Sequence, residues 1–284
     1  MSVAEEAAAA GLRRVGARPP LRAYLSEVWR RRDFPITLAR YRLRAANEGN
    51  RLGIAWIVLR PTLNAVIYGF VFGILQKSDT RPAHYVEYVV IGVFLWQFFT
   101  GSMSHGAKAI TGNRPLVQSL SFPRITLPIA TVLQELYSLL VTMAVMLVIV
   151  VAFAHWPTWK WLELIPLLGL YALLNLGIAL ICARLTAHLA DLSNLLPYVS
   201  RILMYMSGVL WAPDKIFKHH PVVLRLFDFH PLNEVLVLGR SILLPDAYTA
   251  PTWYWLALAI WAVALSLIGV AFFWAAEERY GRVV

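Results

Sequence analysis

The sequence predicts an all-α membrane protein: six transmembrane helices, an N-terminal interfacial amphipathic helix, and a re-entrant outer hairpin between spans five and six. Three observations predict it. Of the 284 residues, 59% are apolar and only 15% are charged, against roughly 45–50% and about 25% in soluble domains. Apolar runs long enough to cross about 30 Å of hydrocarbon recur along the chain. Eleven of the 26 Lys and Arg residues, from Arg13 to Arg51, precede the first of these runs, which is where positive charge anchors a cytoplasmic terminus. This composition excludes disorder, collagen, a disulfide scaffold and an ordinary soluble enzyme. Cys182, the one cysteine, lies within an apolar run and has no intrachain partner. The excess of positive charge follows the membrane, so no nucleic-acid partner is expected.

Residues 1–20 read as a flexible cytoplasmic tail, residues 21–53 as an interfacial amphipathic region, and residues 54–284 as the six-helix transmembrane domain. No signal peptide is expected, because a long polar stretch comes first and the first apolar run is too long for an h-region. In the second region Leu21, Tyr24, Leu25, Val28 and Trp29 recur at helical spacing, with Arg22, Glu27, Arg30 and Arg31 on the other side. A basic helix with Trp on its apolar edge lies in the membrane interface, Tyr24, Leu25, Val28 and Trp29 being its membrane face. A soluble helix packed on a cytoplasmic surface is the alternative.

The spans are expected at 54–75, 88–104, 129–154, 164–182, 195–211 and 253–274, followed by a short polar tail. Six spans put both termini on one side. Seventeen basic residues then fall inside and seven outside, Arg240 among the latter, while Arg60 and Arg201 lie within spans. Between spans five and six, residues 212–251 are moderately apolar but interrupted by Arg225, Asp228, Pro231, Glu234 and Arg240. Lipid-facing helices do not tolerate so many charges, whereas a protein-shielded helical hairpin dipping part-way in does. A plain outer loop is the alternative.

Few motifs carry chemistry. Gly101-Ser-Met-Ser-His-Gly106-Ala-Lys108 imitates a phosphate loop, but its lysine is one place late, no Ser or Thr follows, and no strand precedes it. His219, His220 and His230 with Asp228 match no ligand spacing, and no metal site is expected. Arg60, Glu135, Asp191 and Arg201 all fall near cytoplasmic span ends, leaving the middle of the bundle without ionisable groups. A proton or sodium relay is therefore poorly supplied, and the energy for any transport must come from elsewhere, most simply a separate ATPase. Aromatic residues are abundant: 11 Trp, 12 Tyr and 13 Phe. Tyr68, Phe70, Phe72, Trp96, Phe98, Phe99, Tyr137, Tyr198, Tyr205 and Trp211 lie within or at the mouths of spans. Aromatic faces suit sugar rings, which makes Tyr68, Phe70, Trp96, Phe98, Phe99, Tyr137, Tyr205 and Trp211 candidate channel residues; core or lipid contact is the alternative for each. Gly69 and Gly73 form a GxxxG that admits a close helix neighbour.

Arg40-Tyr41-Arg42, Leu52-Gly53-Ile54-Ala55-Trp56, Leu59-Arg60-Pro61, Tyr68 and Val71-Phe72-Gly73 resemble the opening of ABC-2 type polysaccharide exporter permeases. The segment from Asn113 through Leu116, Val117, Leu120, Phe122, Pro123 and Arg124 to Pro128 is similar to that family's loop between spans two and three. Asp191, Leu195-Leu196-Pro197 and His230-Pro231-Leu232-Asn233 extend the likeness over nearly all of residues 30–280. The resemblance implies a bacterial inner-membrane permease with both termini cytoplasmic, working as a homodimer with two copies of a cytoplasmic ABC ATPase. The cargo implied is a lipid-linked glycan: O-antigen, capsule, teichoic acid or a cell-wall galactan precursor. The chain itself would bind no cofactor, ATP and Mg belonging to the ATPase. Asn113, Leu116, Val117, Leu120, Phe122, Pro123 and Arg124 would form the coupling element that meets the ATPase. Gln118 and Ser119 depart from the pattern, since family members often carry Lys pairs there. A drug or small-lipid exporter permease is the alternative within transport. An integral-membrane glycosyl- or acyltransferase using Asp214, Asp228, His230 and Glu234 is the alternative outside it.

Overall fold

The computed structural model describes residues 19–48, 51–53 and 55–283. The expected tail, Pro19 and Pro20 apart, and Ile54 lie outside the described residues. Two helices precede the apolar bundle, α1 (Leu21–Arg30) and α2 (Asp33–Glu48). They are followed by α3 (Ala55–Leu75), α4 (Tyr85–Ala107), the short α5 (Arg114–Ser119), α6 (Thr126–Ala152) and α7 (Leu164–His188). Then come α8 (Leu192–Met206), α9 (Pro213–Ile216), α10 (Pro221–Asp228), α11 (Pro231–Leu243), α12 (Trp253–Trp274) and α13 (Glu277–Val283). No strand occurs among the described residues.

Five of these helices, α3, α4, α6, α7 (with the turn at Trp159–Glu163) and α12, are long and apolar enough to cross a membrane. Their bounds follow the hydropathy closely, and α12 coincides with the expected sixth span. At the position expected for span five, α8 has only 15 residues, about 22 Å at 1.5 Å per residue. It stops because the chain turns at Gly208, whose φ of +71° favours glycine.

The central post is α4: 83% of its most apolar stretch is buried within the chain, against 11% for α3. It packs on α3, α6 and α7, while α7 lies along α12. Glycine sets that last crossing. A Cβ on Gly177 would lie 2.4 Å from the Leu265 carbonyl carbon, and one on Gly269 2.7 Å from the Gly177 oxygen; any side chain here forces the helices apart. The Gly69/Gly73 pair does not play this part within the chain, because Gly69 has open space beside it.

Residues 212–251 are no plain loop: α10 and α11 form a two-helix hairpin, and α11 is largely buried against α4, α7 and α12. Arg240, counted among the outer charges, is not solvated: it is 2% exposed. Its Nη1 donates to the Gly208 carbonyl at 3.1 Å, its Nη2 to the Val209 carbonyl at 3.0 Å, and its guanidinium lies over the Tyr88 ring. The early end of α8 leaves backbone acceptors buried in the core, and Arg240 satisfies them. Glu87 and Glu234 are buried as well, so ionisable groups are not confined to the end of the bundle that holds α1, α5 and α13.

Candidate functional site

Elements distant in sequence meet at that end. Tyr24, Val117, Ile125, Ala183, Phe273 and Tyr280 belong to one buried cluster, separate from the main core. At its centre the Tyr24 hydroxyl donates to Glu277 Oε2 at 2.8 Å and accepts from the Ile125 N–H at 3.2 Å. Glu277 Oε1 takes the Arg124 N–H at 2.9 Å, and the Arg124 guanidinium donates to the Glu277 carbonyl. Burial pushes the Glu277 carboxyl above its usual range, the Arg124 N–H and Tyr24 hydroxyl offsetting part of that rise. This knot ties α1 and the segment before α6 to α13. Tyr24→Phe leaves a buried carboxylate oxygen and a backbone N–H without their partner, so it is expected to cost about 1–3 kcal/mol. A lowered thermal midpoint of the purified chain measures it.

The knot changes the expected membrane face of α1. Tyr24 is buried and Val28 packs inward, whereas Leu25 and Trp29 are exposed. The reason is the partner: Glu277, 253 positions away, captures the Tyr24 hydroxyl. The expected coupling element divides in the same way. Val117 and Pro123 are buried, Leu116 and Phe122 pack partly inward with Phe122 against Phe34, and Arg124 is held by Glu277. Asn113 accepts from Arg42 Nη2 at 2.8 Å. Leu120 alone among the apolar members is exposed.

Beside this cluster lies a cavity of about 540 Å³ between α2, α3, α4 and α6. It lies within the size range of ligand pockets. Arg42, Arg60, His105 and Lys108 line it with Glu135, whose Oε1 is 2.8 Å from His105 Nδ1. Further along α4 and α6 the lining becomes Gln97, Phe98, Phe94, Ser138 and Thr142. From Lys108 to Phe94 the helix rises about 20 Å, so one cavity joins a cationic end to an aromatic and hydroxyl-bearing interior. Gly101 makes the Glu135 position possible: a Cβ there would lie 2.2 Å from Glu135 Oε2. The phosphate-loop mimic is thus ordinary α4 helix facing its neighbours.

Of the eight candidate channel aromatics, only Phe98 lines this cavity. Trp96 and Phe99 are buried and pack on each other at 5.0 Å. Tyr137 lies beneath the Arg40 guanidinium. Tyr68 is half-buried and Phe70 exposed on α3, Tyr205 faces Phe72 at 6.4 Å, and Trp211 packs on Phe217 and Phe227 of the hairpin. Composition signals aromatic abundance but not its distribution over separate faces. The cavity itself escapes sequence reading because its cations come from three elements; Arg60 and Glu135 are visible there only as span-end charges.

The set proposed for transferase chemistry is partly committed elsewhere. Asp228 accepts from the Tyr254 hydroxyl at 2.7 Å, and His230 Nδ1 accepts from the Asn233 N–H as the cap of α11. His219 and His220 are exposed.

Comparison with known proteins adds the family. The model for ABC-2 type transporters matches residues 36–244. An O-antigen export system permease protein of Myxococcus xanthus is 26% identical over 259 residues, covering 89% of this chain and 94% of the relative. One of Klebsiella pneumoniae is 22% identical over 253 residues, 89% of this chain and 95% of the relative. A polysialic acid transport protein of Escherichia coli is 24% identical over 229 residues, 80% and 87% respectively.

Proposed function

The chain belongs to the ABC-2 type transporter membrane family, and from that membership we propose that it is the permease subunit of a bacterial polysaccharide exporter. Its relatives are named for O-antigen export and polysialic acid transport. The observation that carries the reading is the cavity in which Arg42, Arg60, His105 and Lys108 precede an aromatic and hydroxyl interior. A lipid-linked glycan presents those two chemistries in that order, phosphate and then sugar. Cations hold the phosphate; ring faces and hydroxyls accept the sugars without a fixed charge to trap them.

In this reading the chain is a multi-pass inner-membrane protein with the α1, α5 and α13 end in the cytoplasm. Leu25 and Trp29 seat α1 in the interface. α8 with the segment after it supplies the sixth crossing, and the α10–α11 hairpin enters the outer leaflet part-way, shielded by α4 and α12. A second copy covers the exposed apolar faces of α3 (Val66, Ile67, Phe70, Ile74) and α8 (Leu195, Tyr198, Ile202). Energy comes from two copies of a cytoplasmic ATPase, which hold ATP and Mg. The exposed part of the coupling element, Leu120 above all, meets that ATPase, and the Tyr24–Glu277–Arg124 knot carries its motion to α1 and α6.

Leu120→Asp tests the docking. A charge on the exposed apolar contact is expected to abolish co-purification of the ATPase, and with it export, while the chain stays folded. A stoichiometric complex with full export in that variant contradicts the assignment.

A further inference from the structure

At the end opposite the basic cavity, three side chains outside the site already described meet between the start of α4 and the end of α6. His84 Nδ1 is 3.5 Å from Glu87 Oε1, and His155 Nε2 is 3.4 Å from the same oxygen. All three candidate ligand atoms lie within 4.8 Å of one another. The two imidazoles meet edge to face, 4.7 Å between centroids.

Two imidazole nitrogens and a carboxylate are the donor set that borderline cations such as zinc prefer. Zinc holds such atoms at about 2.0–2.2 Å, so neighbouring ligands on a tetrahedron stand about 3.3 Å apart. Both distances to Glu87 match that spacing without being hydrogen bonds of good length. A second observation is independent of the spacing: the His155 side chain is only 9% exposed, and its Nε2 is buried with no hydrogen-bond partner. A buried imidazole nitrogen aimed at a carboxylate 3.4 Å away, with no hydrogen bond, is short of a ligand. His84, with a side chain 46% exposed, leaves a route for the ion and a fourth position for water.

We propose that His84, Glu87 and His155 bind a zinc-class divalent cation and so clamp the outer ends of α4 and α6 together. The clamp adjoins the hairpin, because the Tyr248 hydroxyl donates to the Ala83 carbonyl and its ring packs on Tyr88. Tyr88 in turn touches Arg240 and the carbonyls at Gly208 and Trp211. Zinc is therefore expected to stiffen the outer side of the bundle. Its binding does not depend on what the protein transports.

The test uses the full chain, purified in detergent without a polyhistidine tag and stripped with chelator. Titration with zinc alone is expected to show one tight site and a raised thermal midpoint. Cobalt alone is expected to give the visible absorption of a tetrahedral site. His84→Ala and Glu87→Gln, which disturb packing least, should each weaken zinc binding by more than the roughly 10–100-fold that an outer-shell change costs. His155→Ala should remove the cobalt spectrum, and His219→Ala/His220→Ala should change none of these readouts. Absence of the cobalt spectrum in the wild-type chain, or zinc affinity unchanged in folded His84→Ala and Glu87→Gln, overturns the proposal and leaves the cluster an ion pair.

Discussion

Arg240→Leu is expected to leave the bundle unable to hold α11 against the turn that ends α8. The guanidinium makes two hydrogen bonds to carbonyls of the turn that ends α8, and it lies over the Tyr88 ring. Hydrogen bonds to a charged group are worth about 1.5–3 kcal/mol each, and losing both removes a large share of the roughly 5–15 kcal/mol that keeps a protein folded. Leucine fills the volume but leaves the Val209 carbonyl buried and unpaired. Tyr88 still reaches Gly208 and Trp211, so the loss falls first on the contact between α8 and α11. Lysine restores the charge without the fork that spans two acceptors, and rescue by Arg240→Lys should be partial at best. Yield of monodisperse protein and protease resistance of the 207–230 segment are the readouts; wild-type values for both in Arg240→Leu would show that the guanidinium is dispensable.

The second large effect concerns transport, not folding. Arg60 is exposed at the mouth of the cavity, its guanidinium 5.8 Å from the Trp56 ring, so Arg60→Gln removes a charge with little packing. Arg42 also bonds Asn113 and Thr131, so Arg42→Gln tests the same charge with some structural cost. If both cations hold a phosphate, each neutralisation loses about 1.5–3 kcal/mol of binding, roughly a tenfold to hundredfold loss at limiting substrate. Export of surface glycan should fall accordingly in Arg60→Gln, with ATPase co-purification unchanged. Normal export in the double variant at low substrate would remove the cavity from the pathway.

How much of this is legible in the sequence depends on the range of the physics involved. Spans are legible because burial in lipid is read residue by residue: Trp253–Trp274 appears in the structure with the bounds that hydropathy assigns it. The surface of the segment expected to couple is not legible, since Val117 turns inward only because α13 and the residues before α6 fold over it. Arg240 reads as an outer charge because the carbonyls that require it lie some thirty residues earlier, at a turn that hydropathy does not mark. Tyr24 reads as a membrane-facing ring for the same reason, its partner being near the far end of the chain. The aromatic residues are countable, but which of them share a face depends on helix rotation, and α4 sends Phe98 to the cavity while Trp96 and Phe99 pack elsewhere. His84, Glu87 and His155 cannot be paired from spacing, because the third ligand comes from the end of α6.

In the proposed function this chain forms the path while another polypeptide supplies the energy. Reconstitution in vesicles separates the two roles, with a lipid-linked glycan in the outer leaflet of inside-out liposomes and the chain present either alone or with its ATPase. Movement of the glycan into the lumen is expected only when chain, ATPase and hydrolysable ATP are all present. Net directional movement by the chain alone would contradict it.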